Sequence, residues 1–189
     1  MRMTIGAALL AGGKSRRMGT DKARLEMKGE SFLQRIAQEL TGFEERILSV
    51  DCAERYPELE WTRAIDEIPS CGPLGGLYTV LKMCRSQALL VVSCDVPLYR
   101  AAFGYWLCEQ LEEPWDAVVP VTQDGAHPLC GVYRKRCAPV LERQILDGNY
   151  RIQGGLERLQ TRFVEAGSWE GVLRNINTPE EYKKLIEFK

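Results

Sequence analysis

Short apolar segments alternate along this chain with stretches of helical periodicity, and that alternation constrains the fold more than any other feature. Residues 5–10 and 88–93 are continuously apolar runs, which is typical of parallel strands buried on both faces. Between them, residues 31–40 carry apolar side chains at helical spacing and begin with a capping-box pair, Ser31 and Gln34. The order predicts βαβ units, and therefore an α/β protein built on a mainly parallel sheet.

The same patterns predict the remaining elements. Further strands are expected at residues 46–50, 61–65, 116–121, 129–133 and 162–166. Further helices are expected after Pro73, at residues 100–111 and 136–146, in a short segment ending at Leu159, and after the capping box formed by Thr178 and Glu181.

Composition limits the kind of protein and its partners. A chain of 189 residues with 45% hydrophobic and 27% charged residues predicts one domain over residues 1–189. A net charge of −1 argues against nucleic acid or an anionic membrane as partner. Seven cysteines without a C-x-x-C pair, and a single histidine, argue against a zinc site and indicate a reduced, cytoplasmic protein. No apolar run is long enough to span a membrane.

A glycine pair and a group of cations follow the first predicted strand. Gly12 and Gly13 allow backbone N–H groups to approach an anion closely, and basic side chains close behind them supply charge: Lys14, Arg16, Arg17 and Lys22. Because open α/β sheets place ligands where their strands end, this segment is predicted to bind a triphosphate.

Three other interpretations of this segment compete with a triphosphate-binding loop. A P-loop requires a glycine five residues before Gly13, where the chain has Ala8. A dinucleotide fingerprint requires an interval that Gly12 and Gly13 lack. A solvated basic turn stays open as an alternative, although it leaves the double glycine unexplained.

An aspartate follows the strand predicted at residues 88–93. Asp95 stands at its carboxyl end, where a carboxylate can hold Mg²⁺ against a phosphate. The alternative is an aspartate that only caps a turn before Pro97. A second glycine-rich segment, 72–76, opens a predicted helix against local propensity, and such departures are common at functional sites. The alternative is a turn whose glycines only allow tight packing.

Polar residues in the second half form a second candidate group. His127 precedes Pro128, and a lone histidine is more often structural than catalytic. Asn175 and Asn177 alternate, which would direct both toward one side of a strand end. The alternative is that both asparagines only satisfy the backbone before the Thr178 cap.

The segment Leu10-Ala-Gly-Gly-Lys-Ser-Arg-Arg-Met-Gly-Thr-Asp-Lys22 resembles the signature loop of the molybdenum cofactor guanylyltransferases, within the nucleotidyltransferase superfamily. Matching segments are Gly-Pro-Leu-Gly-Gly, Asp-x-Pro, His-Pro-Leu and Asn-x-Asn-Thr-Pro-Glu-Glu, in the family's order. The resemblance therefore spans nearly the whole chain. One departure is Asp51 at the end of the second strand, where many members have asparagine.

The resemblance implies a three-layer Rossmann-like fold of the nucleotidyltransferase type and a set of site residues. Catalytic roles fall on Arg17, Lys22 and Asp95, with Mg²⁺ on Asp95. GTP would contact Leu10, Ala11, Gly12, Gly13, Lys22, Ser49, Asp66, Gly72, Gly76 and Asp95. The acceptor molybdopterin would contact His127, Arg151, Asn175 and Asn177.

The implied reaction is transfer of GMP from GTP to the terminal phosphate of molybdopterin, with release of pyrophosphate. Other proteins of molybdenum cofactor biosynthesis are implied as partners. Two alternatives stay open: a related enzyme that uses CTP or another phosphorylated acceptor, and a non-catalytic protein that binds GTP.

Overall fold

The computed structural model describes residues 3–12, 20–68 and 71–187. Within these ranges the strands are β1 (Ile5–Leu10), β2 (Glu26–Met27), β3 (Glu30–Ser31), β4 (Arg46–Val50), β5 (Thr62–Ile65), β6 (Ala88–Ser93), β7 (Ala117–Thr122), β8 (Gly125–Ala126), β9 (Val132–Arg134) and β10 (Thr161–Glu165). The α-helices there are α1 (Phe32–Glu39), α2 (Gly72–Met83), α3 (Ala101–Glu109), α4 (Ala138–Leu146), α5 (Ile152–Arg158) and α6 (Pro179–Glu187).

Eight of the described strands form a central sheet in the order β10-β7-β9-β6-β1-β4-β5, with β8 paired to β7, and β2 and β3 form a separate two-stranded sheet. Strand β1 pairs in parallel with β4 and β6, β4 with β5, and β7 with β10. Strand β9 runs antiparallel between β6 and β7. The strands β1, β4, β5, β6, β7 and β10 therefore all end at one edge, called the carboxyl edge below.

Two apolar cores cover the two faces of this sheet. Alternate residues of β6 enter them: Leu90 and Val92 join one core, and Leu89 and Val91 join the other. The first core includes side chains of α1 and α3, and the second includes those of α2, α4 and α5. This arrangement confirms the predicted three-layer, mainly parallel α/β fold, because a strand buried on both faces needs helices on each side.

Local sequence signals set several element boundaries as predicted. Strands β1, β4 and β6 have the predicted bounds. Ser31 caps α1, and its hydroxyl accepts from the Gln34 amide while the Gln34 side chain accepts from the Ser31 amide. Thr178 and Glu181 form the corresponding reciprocal cap before α6.

Three predicted elements differ in the structure. The strand expected at 129–133 begins only at Val132, because Pro128–Cys130 form a 3-10 turn after a proline that lacks a backbone donor. The helix expected from residue 136 begins at Ala138, after the 3-10 turn Lys135–Cys137. Residues 174–177 form no strand, so the strand end expected at Asn175 and Asn177 is wrong.

No described helix is long and apolar enough to cross a membrane.

Candidate functional site at the carboxyl edge

Backbone hydrogen bonds continue past the ends of the central strands and lock this edge together. The amide of Ala11 donates to the carbonyl of Ser49 at 3.0 Å, and the amide of Cys94 donates to the carbonyl of Leu10 at 3.0 Å. The amide of Asp66 donates to the carbonyl of Val50 at 3.3 Å. The residues that follow β1, β4, β5 and β6 therefore stand side by side in fixed register.

Lys22, Asp95 and Asn177 form one polar cluster at this edge, called the Lys22 cluster. The Lys22 ammonium donates to Asn177 Oδ1 at 2.6 Å, and it lies 3.8 Å from Asp95 Oδ2. The side chains of Lys22 and Asp95 are only 16% and 21% exposed. Partial burial weakens the screening of both charges by solvent. The ammonium of Lys22 would therefore attract a phosphate placed here, whereas the carboxylate of Asp95 would repel it unless a cation lay between them.

The C-terminal segment supplies Asn177 through backbone contacts. The amide of Ile176 donates to the carbonyl of Asp95 at 2.8 Å, and its side chain is fully buried. The Glu181 carboxylate accepts from the amides of Asn177 and Thr178, and these hydrogen bonds lower its pKa. The cap of α6 therefore also fixes Asn177 against Lys22.

Asp95 is the carboxylate that the Lys22 cluster presents to a divalent cation. Carboxylate oxygen is the ligand type that Mg²⁺ prefers, and it is often combined with substrate phosphates. Among the described residues, no group of three or more His, Cys, Asp or Glu side chains is arranged to hold a metal. The donor set therefore fits a cation held jointly by Asp95 and a bound triphosphate.

Four residues predicted to contact the nucleotide converge beside the Lys22 cluster. A Cβ added to Gly76, in the first turns of α2, would lie 2.9 Å from Ser49 Oγ, 3.7 Å from Asp66 Oδ1 and 3.9 Å from a methyl of Leu10. The absence of a side chain at Gly76 thus lets α2 pack directly onto the ends of β1, β4 and β5. We call Leu10, Ser49, Asp66 and Gly76 the base pocket.

Asp66 is the unusual member of the base pocket. Its Oδ1 atom is buried and has no hydrogen-bond partner among the described residues. Burial, together with the negative charge of Asp51, raises the pKa of the Asp66 carboxyl. An unpartnered carboxylate oxygen is costly to bury, and such groups are frequently reserved for a ligand donor.

The glycines of the predicted site differ in how a side chain would be tolerated: Gly72 has a positive φ, whereas Gly12 lies close to neighbouring backbone. A Cβ at Gly12 would meet only backbone atoms of Val50 and Asp51, at 3.7 Å or more. Gly72 has a φ of +61° at the start of α2, a conformation that favours glycine. Gly13 and Arg17 lie outside the described residues, so their predicted roles stay predictions.

His127 lies on the same edge and is neutral at physiological pH. Its Nε2 atom shares a hydrogen bond of 2.8 Å with the Thr122 hydroxyl at the end of β7. Burial lowers the pKa of the imidazole, against the opposing effect of the negative charges of Asp124 and Asp95.

Arg151 lies in the turn between α4 and α5, and its hydrogen bonds among the described residues are local to that turn. Its carbonyl accepts from the side chain of the buried Gln144, and its amide donates to Asn149 Oδ1. Its side chain is exposed, and within the described ranges it forms no ion pair. Because β9 is antiparallel to its neighbours, the chain leaves it at the edge opposite the carboxyl edge. Helix α4 then runs back across the sheet, so the turn after it lies toward the carboxyl edge.

Asn175 is exposed, and among the described residues no hydrogen bond links its side chain to the Lys22 cluster. Two residues outside the predicted set do contact that region: Arg55 and Tyr56 both bind the carboxylate of Asp21, the neighbour of Lys22. Neither carries a periodic or motif signal. Only their position just after β4, where the carboxyl edge is expected, could have indicated from the sequence that they lie near the site.

Known proteins are similar to this chain in sequence and in fold. A family model described as the MobA-like NTP transferase domain matches residues 7–163. A probable molybdenum cofactor guanylyltransferase from Clostridium perfringens (strain 13 / Type A) is 32% identical, over 97% of this chain and 96% of that protein. One from Bacillus subtilis (strain 168) is 34% identical, over 95% and 93%.

A solved structure gives the same result for the fold. Molybdopterin-guanine dinucleotide biosynthesis protein A from Archaeoglobus fulgidus superposes with a TM-score of 0.84 at 24% identity, covering 98% of this chain and 97% of that one. The fold and the edge described above define a nucleotidyltransferase of the α/β class. The chain belongs to the family of MobA-like NTP transferase domains.

Proposed function

We propose that this protein transfers GMP from GTP to the terminal phosphate of molybdopterin, releasing pyrophosphate, in molybdenum cofactor biosynthesis. The relatives from C. perfringens and B. subtilis carry the name of that activity. The observation that carries the proposal is the Lys22 cluster, which gathers a cation, a carboxylate and an amide from distant parts of the chain beside the base pocket.

The triphosphate would lie along the segment that links the base pocket to Lys22. The Lys22 ammonium would bind the β- and γ-phosphates, with Arg17 and the amides of Gly12 and Gly13 as further donors. Mg²⁺, when bound at Asp95, would neutralise phosphate charge. These groups lower the barrier because they stabilise the charge that collects on the departing pyrophosphate.

The chemical step needs no general base. An oxygen of the acceptor phosphate is already an anion, and it attacks the α-phosphorus of GTP. A new P–O bond forms as the bond between the α-phosphorus and the bridging oxygen breaks, and pyrophosphate leaves with that electron pair. His127, which is neutral, would then act as an acceptor-binding residue, together with Arg151, Asn175 and Asn177.

The base pocket supports guanine as the base. Guanine carries two adjacent donors, N1–H and the N2 amino group, and a carboxylate accepts from both. The unpartnered Oδ1 of Asp66 is an acceptor without a donor among the described residues, and it lies where α2 packs closely onto the strand ends at Gly76. Cytosine lacks this donor pair, so a CTP-using enzyme is the less supported alternative.

A nucleotide and acceptor panel tests the proposal. Purified protein is mixed with Mg²⁺, one of GTP, CTP or ATP, and molybdopterin, and pyrophosphate release is followed. We expect release that requires both GTP and molybdopterin. Release with CTP in preference to GTP would move the protein to a cytidylyltransferase role. If the protein binds GTP in a separate binding assay but releases no pyrophosphate with molybdopterin, the alternative of a non-catalytic GTP-binding protein is favoured.

A further inference from the structure

The buried Tyr56 contacts both described ends of the predicted triphosphate-binding segment. Its hydroxyl lies 2.9 Å from each oxygen of the Asp21 carboxylate, and 3.3 Å from the carbonyl of Ala11. Ala11 is the residue that leaves β1, and Asp21 immediately precedes Lys22. One hydroxyl therefore joins the entry and the exit of the segment that includes Gly12, although these two chain positions are ten residues apart.

Asp21 transmits this contact to Lys22. Besides Tyr56, its carboxylate accepts from the amide of Ala23 at 3.1 Å and from the guanidinium of Arg55. The contact to Ala23 caps the 3-10 turn Lys22–Arg24, whose first residue is the lysine of the Lys22 cluster. The orientation of that turn, and with it the position of the ammonium, depends on where the Asp21 carboxylate is held.

The surroundings of Tyr56 keep its hydroxyl a donor. Burial and the neighbouring Asp21 carboxylate raise the pKa of the phenol well above its ordinary value, so it stays protonated at any physiological pH. The guanidinium of Arg55 stacks 4.9 Å from the ring centroid while it binds Asp21. Tyr56 also has a φ of +53°, an uncommon conformation for a non-glycine residue that persists only where the surroundings impose it.

We propose that Tyr56 is a positioning residue for phosphotransfer: through Asp21 it fixes the segment that carries Lys22 in the orientation that stabilises the departing pyrophosphate. The inference rests on the proposed function and adds to it a residue that touches neither substrate. If Tyr56 served only to pack the core, its ring would matter and its hydroxyl would not. Removal of the hydroxyl alone therefore distinguishes core packing from positioning of Asp21.

The test compares Tyr56→Phe with the matched control Tyr99→Phe. Both tyrosines are buried in the same core, but the Tyr99 hydroxyl has no partner among the described residues. We expect Tyr56→Phe to lower kcat about tenfold, since it removes a hydrogen bond to a charged group, with a smaller change in KM for GTP. Tyr99→Phe should keep the wild-type kcat. A wild-type kcat in Tyr56→Phe would overturn the proposal.

A double-mutant cycle with Lys22→Ala shows whether Tyr56 acts through the lysine. If it does, Tyr56→Phe should add little to the loss already caused by Lys22→Ala, because residues that act as a unit are not additive. Losses that multiply in the double variant would overturn the proposal. Should Tyr56→Phe fail to fold, Asp21→Asn weakens the same contact from the other side and takes its place.

Amide hydrogen exchange over residues 21–25 tests the contact without any substrate. We expect faster exchange at Ala23 in Tyr56→Phe than in wild type or Tyr99→Phe, because its acceptor is no longer held. Equal exchange in all three proteins would contradict the positioning role. If wild-type protein shows no transfer with any nucleotide, the proposed function fails, and this exchange result still decides whether Tyr56 orders the Lys22 turn.

Discussion

The ammonium of Lys22 lies 2.6 Å from Oδ1 of Asn177, although 155 residues separate them in the sequence. Asn177 is held there by the cap of α6 and by the neighbouring hydrogen bond from Ile176 to Asp95. The first and last predicted motifs of the chain therefore meet in one place. Under the proposed function, Asn177 would influence the nucleotide phosphates through Lys22 as well as the acceptor.

Lys22→Ala should lower GTP turnover by about tenfold or more, because it removes a charge-assisted contact to phosphate. The fold should survive, since the lysine lies at the edge of the sheet outside the two cores. Steady-state pyrophosphate release and thermal melts provide the measurement. Lys184→Ala, at an exposed position of α6, is the matched control and should behave as wild type. Turnover near the wild-type rate would remove Lys22 from the mechanism.

Asp95→Asn should abolish Mg²⁺-dependent transfer, because a hard cation loses its charged oxygen ligand. The side chain keeps its shape, so the backbone contact to Ile176 should persist and the melting temperature should change little. Activity measured across a Mg²⁺ titration checks this. If the variant responds to Mg²⁺ as wild type does, Asp95 is only a turn residue.

Asp66→Asn should lose the preference for GTP and gain stability. The amide supplies a donor where the guanine donors need an acceptor, so kcat/KM for GTP relative to CTP should fall by about tenfold or more. The Asp66 pKa is raised in the folded state, so its contribution to stability is present below its ordinary value of 3.8 and is lost as the pH rises through the folded pKa.

The stability gain of Asp66→Asn should therefore depend on pH in a definite direction. The variant should melt at a higher temperature than wild type near about pH 7, and the difference should shrink as the pH falls through the raised pKa of Asp66 toward its ordinary value of 3.8. Melting curves over this range give the measurement. A gain that grew as the pH fell would contradict the assigned environment of Asp66.

Arg151→Ala should impair use of molybdopterin while GTP binding stays nearly unchanged. The arginine is exposed, and a guanidinium suits a terminal phosphate. We expect KM for the acceptor to rise about tenfold, with Arg143→Ala on the neighbouring α4 as the control. A loss of GTP affinity in place of acceptor use would count against the assignment.

The sequence specified the parts of the fold that depend on local patterns. Continuous apolar runs located β1 and β6, and polar capping pairs located the starts of α1 and α6, because each signal arises within a few residues. The same logic put Asp95 just after the buried strand β6 and Lys22 in the segment that follows β1, and the two strands are parallel neighbours in the sheet.

Contacts that cross the fold could not be deduced in this way. The inserted antiparallel strand β9 is short because a 3-10 turn at Pro128 takes up its predicted start. Tyr56 lies in a polar turn, and its link to Ala11 and Asp21 exists only because β1 and β4 are neighbours in the sheet. The closeness of Asn177 to Lys22 likewise depends on the path of the C-terminal segment.

The most direct test of the central claim follows the α-phosphate of GTP. Protein, Mg²⁺ and molybdopterin are incubated with GTP labelled at the α-phosphorus, and the products are separated. We predict that the label moves into a product that also contains the pterin, in equal amount to the pyrophosphate released, and that no labelled free GMP accumulates. Label that stays in GTP, or appears only as free GMP, would contradict guanylyl transfer by this protein.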